Sequence, residues 1–122
     1  EQQIGFDKAG NTAPELLAIL VSLVILPPLV EEIVCRGFLY TGLRSKMPQI
    51  TAALITSALF AAAHLQFGSG NQPLWIAAVD TFVLSLILVY VRQKSGSLWP
   101  AIYIHMGKNM AAFLLLFIVR FP

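Results

Sequence analysis

Four mostly apolar segments, joined by short polar connectors, are the feature that most restricts how this chain can fold. They cover residues 14–43, 51–67, 73–91 and 98–119. A helix needs roughly 20 mostly apolar residues to cross the hydrocarbon core of a bilayer, and it satisfies its own backbone polar groups in lipid. We therefore expect an all-α fold, a polytopic transmembrane helix bundle with a four-helix core. Residues 1–13 form a polar N-terminal segment in this prediction, and residues 14–122 form the four-span core.

The composition supports a membrane protein. Hydrophobic residues make up 57% of the chain and charged residues only 11%, whereas soluble domains average about 45–50% and about 25%. The net charge of +2 is small and the basic residues are scattered, which argues against a nucleic-acid partner. The single cysteine, Cys35, excludes an internal disulfide and any multi-cysteine metal site.

The distribution of basic residues predicts the orientation of the bundle. The connectors at residues 44–49 and 92–97 carry four of them, the connector at 68–72 carries none, and Lys8 and Arg120 lie on that second side. Cytoplasmic loops are enriched in lysine and arginine. We therefore expect the connectors at 44–49 and 92–97 to be cytoplasmic.

A proline pair lies inside the first apolar segment. Pro27 and Pro28 lack backbone N–H groups and crowd the preceding turn. We expect a kink or a break there, a few residues before Glu31. Backbone carbonyls freed at membrane depth are tolerated only when they are buried in protein or face a wet cavity. This predicts water close to Glu31.

The same segment contains the first of three polar motifs, formed by Glu31, Glu32 and Arg36. Glu32 and Arg36 are four residues apart on a helix and can form an ion pair. The Glu31 side chain points about 100° around the helix axis from that of Glu32. Its charge need not be neutralised by Arg36, so Glu31 is a candidate general base. The structural alternative is a buried ion pair next to a carboxylate that has no catalytic role.

The other two motifs each place two side chains, four residues apart, on one face of a helix. Phe60 and His64 have this spacing in the second apolar segment, so the ring is expected to pack beside the imidazole, and His105 and Asn109 have it in the fourth. Histidine and asparagine together can offer two hydrogen-bond donors to a developing oxyanion, although both also serve as ordinary interhelical hydrogen-bonding residues. At 1.5 Å per residue, all three motifs lie roughly 10–20 Å below the cytoplasmic side and can converge in one layer.

The order and spacing of these three motifs resemble the CAAX-protease and bacteriocin-processing (CPBP, or Abi) family of intramembrane proteases. The run at residues 96–105 also looks like that family's approach to its last motif, and the resemblance covers about residues 29–113. It implies that Glu31 and His64 activate a water molecule and that His105 and Asn109 form the oxyanion hole. The other two charged residues of the first motif would hold the site in place. Family members usually carry additional helices, so we expect this chain to be part of a longer membrane protein.

The predicted function is an intramembrane endopeptidase without a cofactor, in a multi-pass protein of a prokaryotic cell membrane. Its expected substrate is a peptide or protein that carries a lipid, such as a prenylated CAAX tail, or a hydrophobic segment. One alternative is a zinc-dependent intramembrane protease, in which Glu31 or Glu32 joins His64 and His105 as a ligand. Another is a non-catalytic membrane protein of bacteriocin self-immunity.

Overall fold

The first apolar segment forms a single helix, α1, from Ala13 to Arg44 in the computed structural model, which describes residues 12–65 and 75–119. The sequence at its start explains where it begins. The Thr12 hydroxyl accepts from the Glu15 backbone N–H at 3.4 Å, and the Glu15 carboxylate accepts from the Thr12 N–H at 3.2 Å. This reciprocal cap satisfies two N–H groups that a helix leaves without partners.

The sequence predicts a kink or a break at Pro27 and Pro28; a break is wrong, because α1 continues through both residues. A π-helical turn, Val21–Ile25, immediately precedes the prolines, and a second π-helical stretch covers Ile33–Tyr40. A π-helical turn is wider than an α-helical one. It accommodates the carbonyls that the prolines crowd and leave without N–H donors, so the helix does not have to end.

Three further helices follow within the described residues. They are α2, Gln49–Ala63; α3, Trp75–Ser95; and α4, Trp99–Val119, whose last part, Leu114–Val119, is π-helical. The helices α1, α3 and α4 are long and apolar enough to cross a membrane. Helix α2 has 15 residues, or about 22 Å, and is shorter than predicted at its C-terminal end. Residues 66–67 and 73–74 of the predicted spans lie outside the described residues, as does the predicted connector at 68–72.

Helix α3 runs past residue 91, where the sequence predicted its end. The polarity of residues 92–95 predicts a connector, but Arg, Gln and Lys favour a helix almost as well as alanine does. The helix stops at Gly96, which has φ of 69° and donates its N–H to the Arg92 carbonyl at 3.1 Å. Glycine adopts this left-handed conformation without steric cost and commonly follows a helix C-terminus.

The chain divides into two compact units, the first of which comprises residues 1–30 and 102–122. In its described part, the core consists of Ile19, Val24 and Phe113, with further apolar side chains of α1 and α4 around them. The Phe113 and Phe117 rings lie 5.3 Å apart. Apolar packing thus joins the first part of α1 to α4 within this unit.

The second unit, residues 31–101, contains the remainder of α1 together with α2 and α3. Tyr40, Ala52 and Val89 form a buried cluster in which the three helices meet. Large apolar side chains on their other faces are exposed, and Ile76 is 88% accessible. Such surfaces require lipid or protein around them. The predicted all-α, polytopic helix bundle is confirmed.

Replacement of Tyr40 by phenylalanine tests the packing of α1 on α3. The Tyr40 hydroxyl donates to Gln93 Oε1 at 2.7 Å, while the ring is buried. Tyr40→Phe removes only this hydrogen bond, and we expect a loss of about 1 kcal/mol in the free energy of unfolding in detergent. Tyr90→Phe, at an exposed position of α3, is the matched control and should change stability little. Equal stability of the two variants would contradict the inferred contribution.

Candidate active site

Glu31 of α1 and His64, the residue directly after α2, approach each other in the second unit. The distance from Glu31 Oε2 to His64 Nε2 is 3.9 Å, and the two side chains are 31% and 35% exposed. The sequence predicted that His64 would lie inside a helix, but α2 ends at Ala63 and His64 caps it. The pair is therefore accessible at the end of a helix.

The orientation of the His64 ring follows from its place at the end of α2. A helix leaves its last carbonyls without N–H partners, and the His64 N–H bonds to the Ala61 carbonyl at 3.1 Å. The Phe60 carbonyl lies 2.7 Å from His64 Nδ1. A carbonyl only accepts, so Nδ1 must carry the hydrogen of this bond. In the neutral imidazole, Nε2 then has the lone pair, and this is the nitrogen that faces Glu31.

The Phe60 side chain connects this pair to a buried charge cluster. Its ring centroid lies 4.5 Å from that of His64, which agrees with the packing expected from their spacing. On the same ring, the Arg36 guanidinium carbon lies 4.5 Å from the centroid, a favourable cation–π distance. Phe60 therefore contacts His64 through both its carbonyl and its ring, and it also contacts Arg36.

The charge cluster is centred on the ion pair that the sequence predicted between Glu32 and Arg36. Arg36 Nη1 donates to Glu32 Oε1 at 3.0 Å, and both side chains are fully buried. Arg36 Nη2 donates to the Ser85 hydroxyl at 2.6 Å and to the Ser85 carbonyl at 3.3 Å. Helices α1 and α3 are thus linked by a charged hydrogen-bond network in a part of the unit that excludes water.

Two members of this arrangement were missed in the sequence. Ser85 is a polar residue inside an apolar span, and that is a signal of an interhelical hydrogen bond, but many serines bond to their own helix instead. Thr81 does so here, by donating to the Ala77 carbonyl at 2.7 Å. The Phe60 carbonyl has no sequence signal, because its availability depends on where α2 ends.

His105 and Asn109 lie one turn apart on α4, in the first unit. His105 is 4% exposed and Asn109 is half-buried. Asn109 Nδ2 donates to the Leu23 carbonyl of α1 at 2.9 Å. This is an interhelical hydrogen bond of the kind that the structural alternative predicted. It uses one of the two hydrogens on the amide nitrogen.

The residues proposed for a zinc site were a glutamate, His64 and His105. Within residues 12–65 and 75–119, no three His, Cys, Asp or Glu side chains are grouped so that they could hold a metal ion. The Glu31–His64 pair alone is one ligand short of the three that a catalytic zinc usually has. Chelation, described below, is the direct test of this alternative.

Residues 13–111 match the protein family described as Rce1-like, type II CAAX prenyl endopeptidase. The chain belongs to this family. The match includes all three polar motifs and confirms the resemblance found in the sequence. Together with the three membrane-length helices of the described residues, membership of the Rce1-like family identifies an integral membrane protein.

A curated relative is also similar. It is an uncharacterized 24.3 kDa protein from Escherichia coli, 33% identical over 100 residues. The alignment covers 80% of this chain and 44% of the Escherichia coli protein. The chain therefore spans less than half the length of this relative. No solved structure matches the chain significantly.

Removal of the arginine tests the buried network. Arg36→Ala leaves the Glu32 carboxylate buried without its cation, and we expect a loss of roughly 3–5 kcal/mol in the free energy of unfolding. The double variant Glu32→Gln/Arg36→Met removes both charges and should recover much of this loss, because no uncompensated charge stays buried.

Lys46→Ala, at an exposed position in the connector after α1, controls for the loss of a basic residue. Unfolding of all variants is followed in the same detergent. If Arg36→Ala and Lys46→Ala were equally stable, the ion pair would not be holding α1 and α3 together.

Proposed function

We propose that the protein is an intramembrane endopeptidase in which Glu31 and His64 activate the water that hydrolyses the peptide bond. The observation that carries this proposal is the approach of Glu31 Oε2 to His64 Nε2, at 3.9 Å, in a chain of the Rce1-like family. Both groups are about one-third exposed and so can be reached by water and by a substrate.

The separation of the two groups suits a bridging water. It is longer than a direct hydrogen bond, for which the N···O distance is usually about 2.7–3.2 Å. With Nδ1 protonated by its bond to the Phe60 carbonyl, Nε2 and the ionised Glu31 carboxylate are both acceptors. A water molecule has two hydrogens and can donate one to each, which leaves its oxygen lone pairs directed away from both side chains and towards a substrate.

The reaction then follows from general acid–base chemistry. The water oxygen forms a bond to the scissile carbonyl carbon while Glu31 takes a proton from it. The carbonyl oxygen becomes an oxyanion in the tetrahedral intermediate. When the C–N bond breaks, the proton held by Glu31 is transferred to the leaving nitrogen. No covalent bond between the enzyme and the substrate is needed.

Stabilisation of the oxyanion is assigned, within this proposal, to His105 and Asn109. Imidazole and amide N–H groups are suitable donors to such an oxygen. Glu32 and Arg36 are assigned a supporting role. Arg36 pairs with Glu32 and also contacts Ser85 and Phe60, and these contacts restrain α1 beside His64. The four-span core of residues 14–122 belongs to the same proposal, since it contains all six residues.

The proposed substrate is a protein or peptide with a prenylated CAAX tail or another lipid or hydrophobic segment. The name of the matched family supports a CAAX-type tail, and the three membrane-length apolar helices of the described residues favour a substrate that itself enters the bilayer. We also propose that the connectors at 44–49 and 92–97 face the cytoplasm of a prokaryotic cell, on the distribution of basic residues.

Glu31→Gln tests the general base. The change keeps the size of the side chain and removes the proton acceptor, so we expect it to abolish cleavage while the protein stays folded. Cleavage of a farnesylated CAAX peptide is measured by mass spectrometry of the new C-terminus, and membranes of producing cells are compared for new protein C-termini. Glu15→Gln, at an exposed position of the same helix, is the matched control. Wild-type activity in Glu31→Gln would refute the assignment.

Two experiments, Asn109→Ala and chelation, together distinguish an oxyanion-hole mechanism from a zinc-dependent one. Loss of one oxyanion donor should lower kcat by about 100-fold or more and change KM little, because the donor acts mainly on the transition state. Activity should survive extensive treatment with a strong chelator. Three results together would contradict water activation by Glu31 and His64: loss of activity on chelation, its recovery with zinc, and loss of bound metal in His105→Ala. They would indicate a zinc-bound water instead.

A further inference from the structure

Asn109 binds the Leu23 carbonyl, which lies four residues before the first of two consecutive prolines. In an α-helix the Leu23 carbonyl accepts from the N–H of residue 27, and in a π-helix from that of residue 28. Pro27 and Pro28 have no N–H. Leu23 itself lies in the π-helical turn Val21–Ile25. The sequence therefore removes the backbone donor of this carbonyl in both helical forms.

The amide of Asn109 takes the place of the missing donor. Its Nδ2 lies 2.9 Å from the Leu23 oxygen, although the two residues are 86 positions apart in the chain. A carbonyl left unsatisfied at membrane depth is strongly unfavourable, so this bond holds the amide firmly. Because the amide group is planar, one engaged hydrogen also fixes the direction of the second hydrogen on the same nitrogen.

We propose that Pro27 and Pro28 are positioning residues for Asn109. By withholding backbone N–H groups, they reserve the Leu23 carbonyl for the Asn109 side chain, and this bond aims the remaining Nδ2 hydrogen. The inference rests on the proposed function, in which that hydrogen is donated to the oxyanion. It gives a role to a proline pair inside a long membrane helix, where each proline removes a backbone hydrogen bond.

Pro27→Ala is the primary test, because Pro27 is only half-buried whereas Pro28 is fully buried. The new N–H competes for the Leu23 carbonyl and should release Asn109. Pro14→Ala is the matched control. It makes the same replacement in the same helix, but in the first turn, where a restored N–H has no carbonyl to compete for.

The first readout does not depend on activity. The chain contains three asparagines, Asn11, Asn71 and Asn109, so selective ¹⁵N-asparagine labelling resolves their side-chain amides by NMR in detergent. Asn109→Ala identifies the signal. We expect one Asn109 side-chain hydrogen to be protected from solvent exchange in the wild type and in Pro14→Ala, and to lose this protection in Pro27→Ala. Equal protection in all three would overturn the inference.

A thermal unfolding cycle checks the same link. Asn109→Ala should lower Tm in the wild-type background, since it leaves the Leu23 carbonyl without a donor. In the Pro27→Ala background the carbonyl has its own N–H, so the same replacement should lower Tm less. Equal Tm losses in the two backgrounds would overturn the inference as well.

The last readout is catalytic. Pro27→Ala should lower kcat by about tenfold or more, up to the effect of Asn109→Ala, with KM little changed. Release of the amide without a fall in kcat would overturn the positioning role. If Asn109→Ala itself retained full activity, the proposed oxyanion function would fail, while the exchange and Tm measurements would still decide whether the prolines reserve the Leu23 carbonyl for Asn109.

Discussion

The buried ion pair between Glu32 and Arg36 is the interaction on which the second unit depends most. Two full charges lie in a region without solvent exposure, and either alone would be strongly destabilising there. The pair is tolerated because Arg36 also donates to Ser85 and lies over the Phe60 ring. These contacts require α1, α2 and α3 to meet in one arrangement. The adjacent Glu31 and the His64 ring that packs on Phe60 are restrained by the same arrangement.

Two backbone carbonyls hold polar side chains of the candidate site. At the end of α2, the Phe60 carbonyl accepts from His64 Nδ1 and so selects which ring nitrogen faces Glu31. In α1, the prolines leave the Leu23 carbonyl to the Asn109 amide. In lipid such carbonyls must find a donor within the protein. Interruptions of regular helical bonding therefore become fixed attachment points for polar side chains.

Structural and catalytic interpretations of the polar motifs are compatible, because one polar side chain can make both kinds of contact. The hydrogen bond of Asn109 to α1 is an ordinary interhelical contact, yet it occupies only one hydrogen of the amide. The Glu32–Arg36 pair is likewise structural, and it restrains the segment that carries Glu31. A site in a membrane needs side chains that are held rigidly, and polar contacts within the protein provide this.

The sequence by itself determined the all-helical membrane fold, the Glu32–Arg36 pair and the family, because apolar segment length and spacing of four residues are local properties of a helix. It did not determine the course of α1 through the prolines, since a π-helical turn there has no composition signal. The end of α2 at Ala63, the carbonyl that orients His64 and the role of Ser85 were also decided only by the tertiary structure. Each of these depends on which groups come into contact once the helices have packed, and no spacing within one segment encodes that.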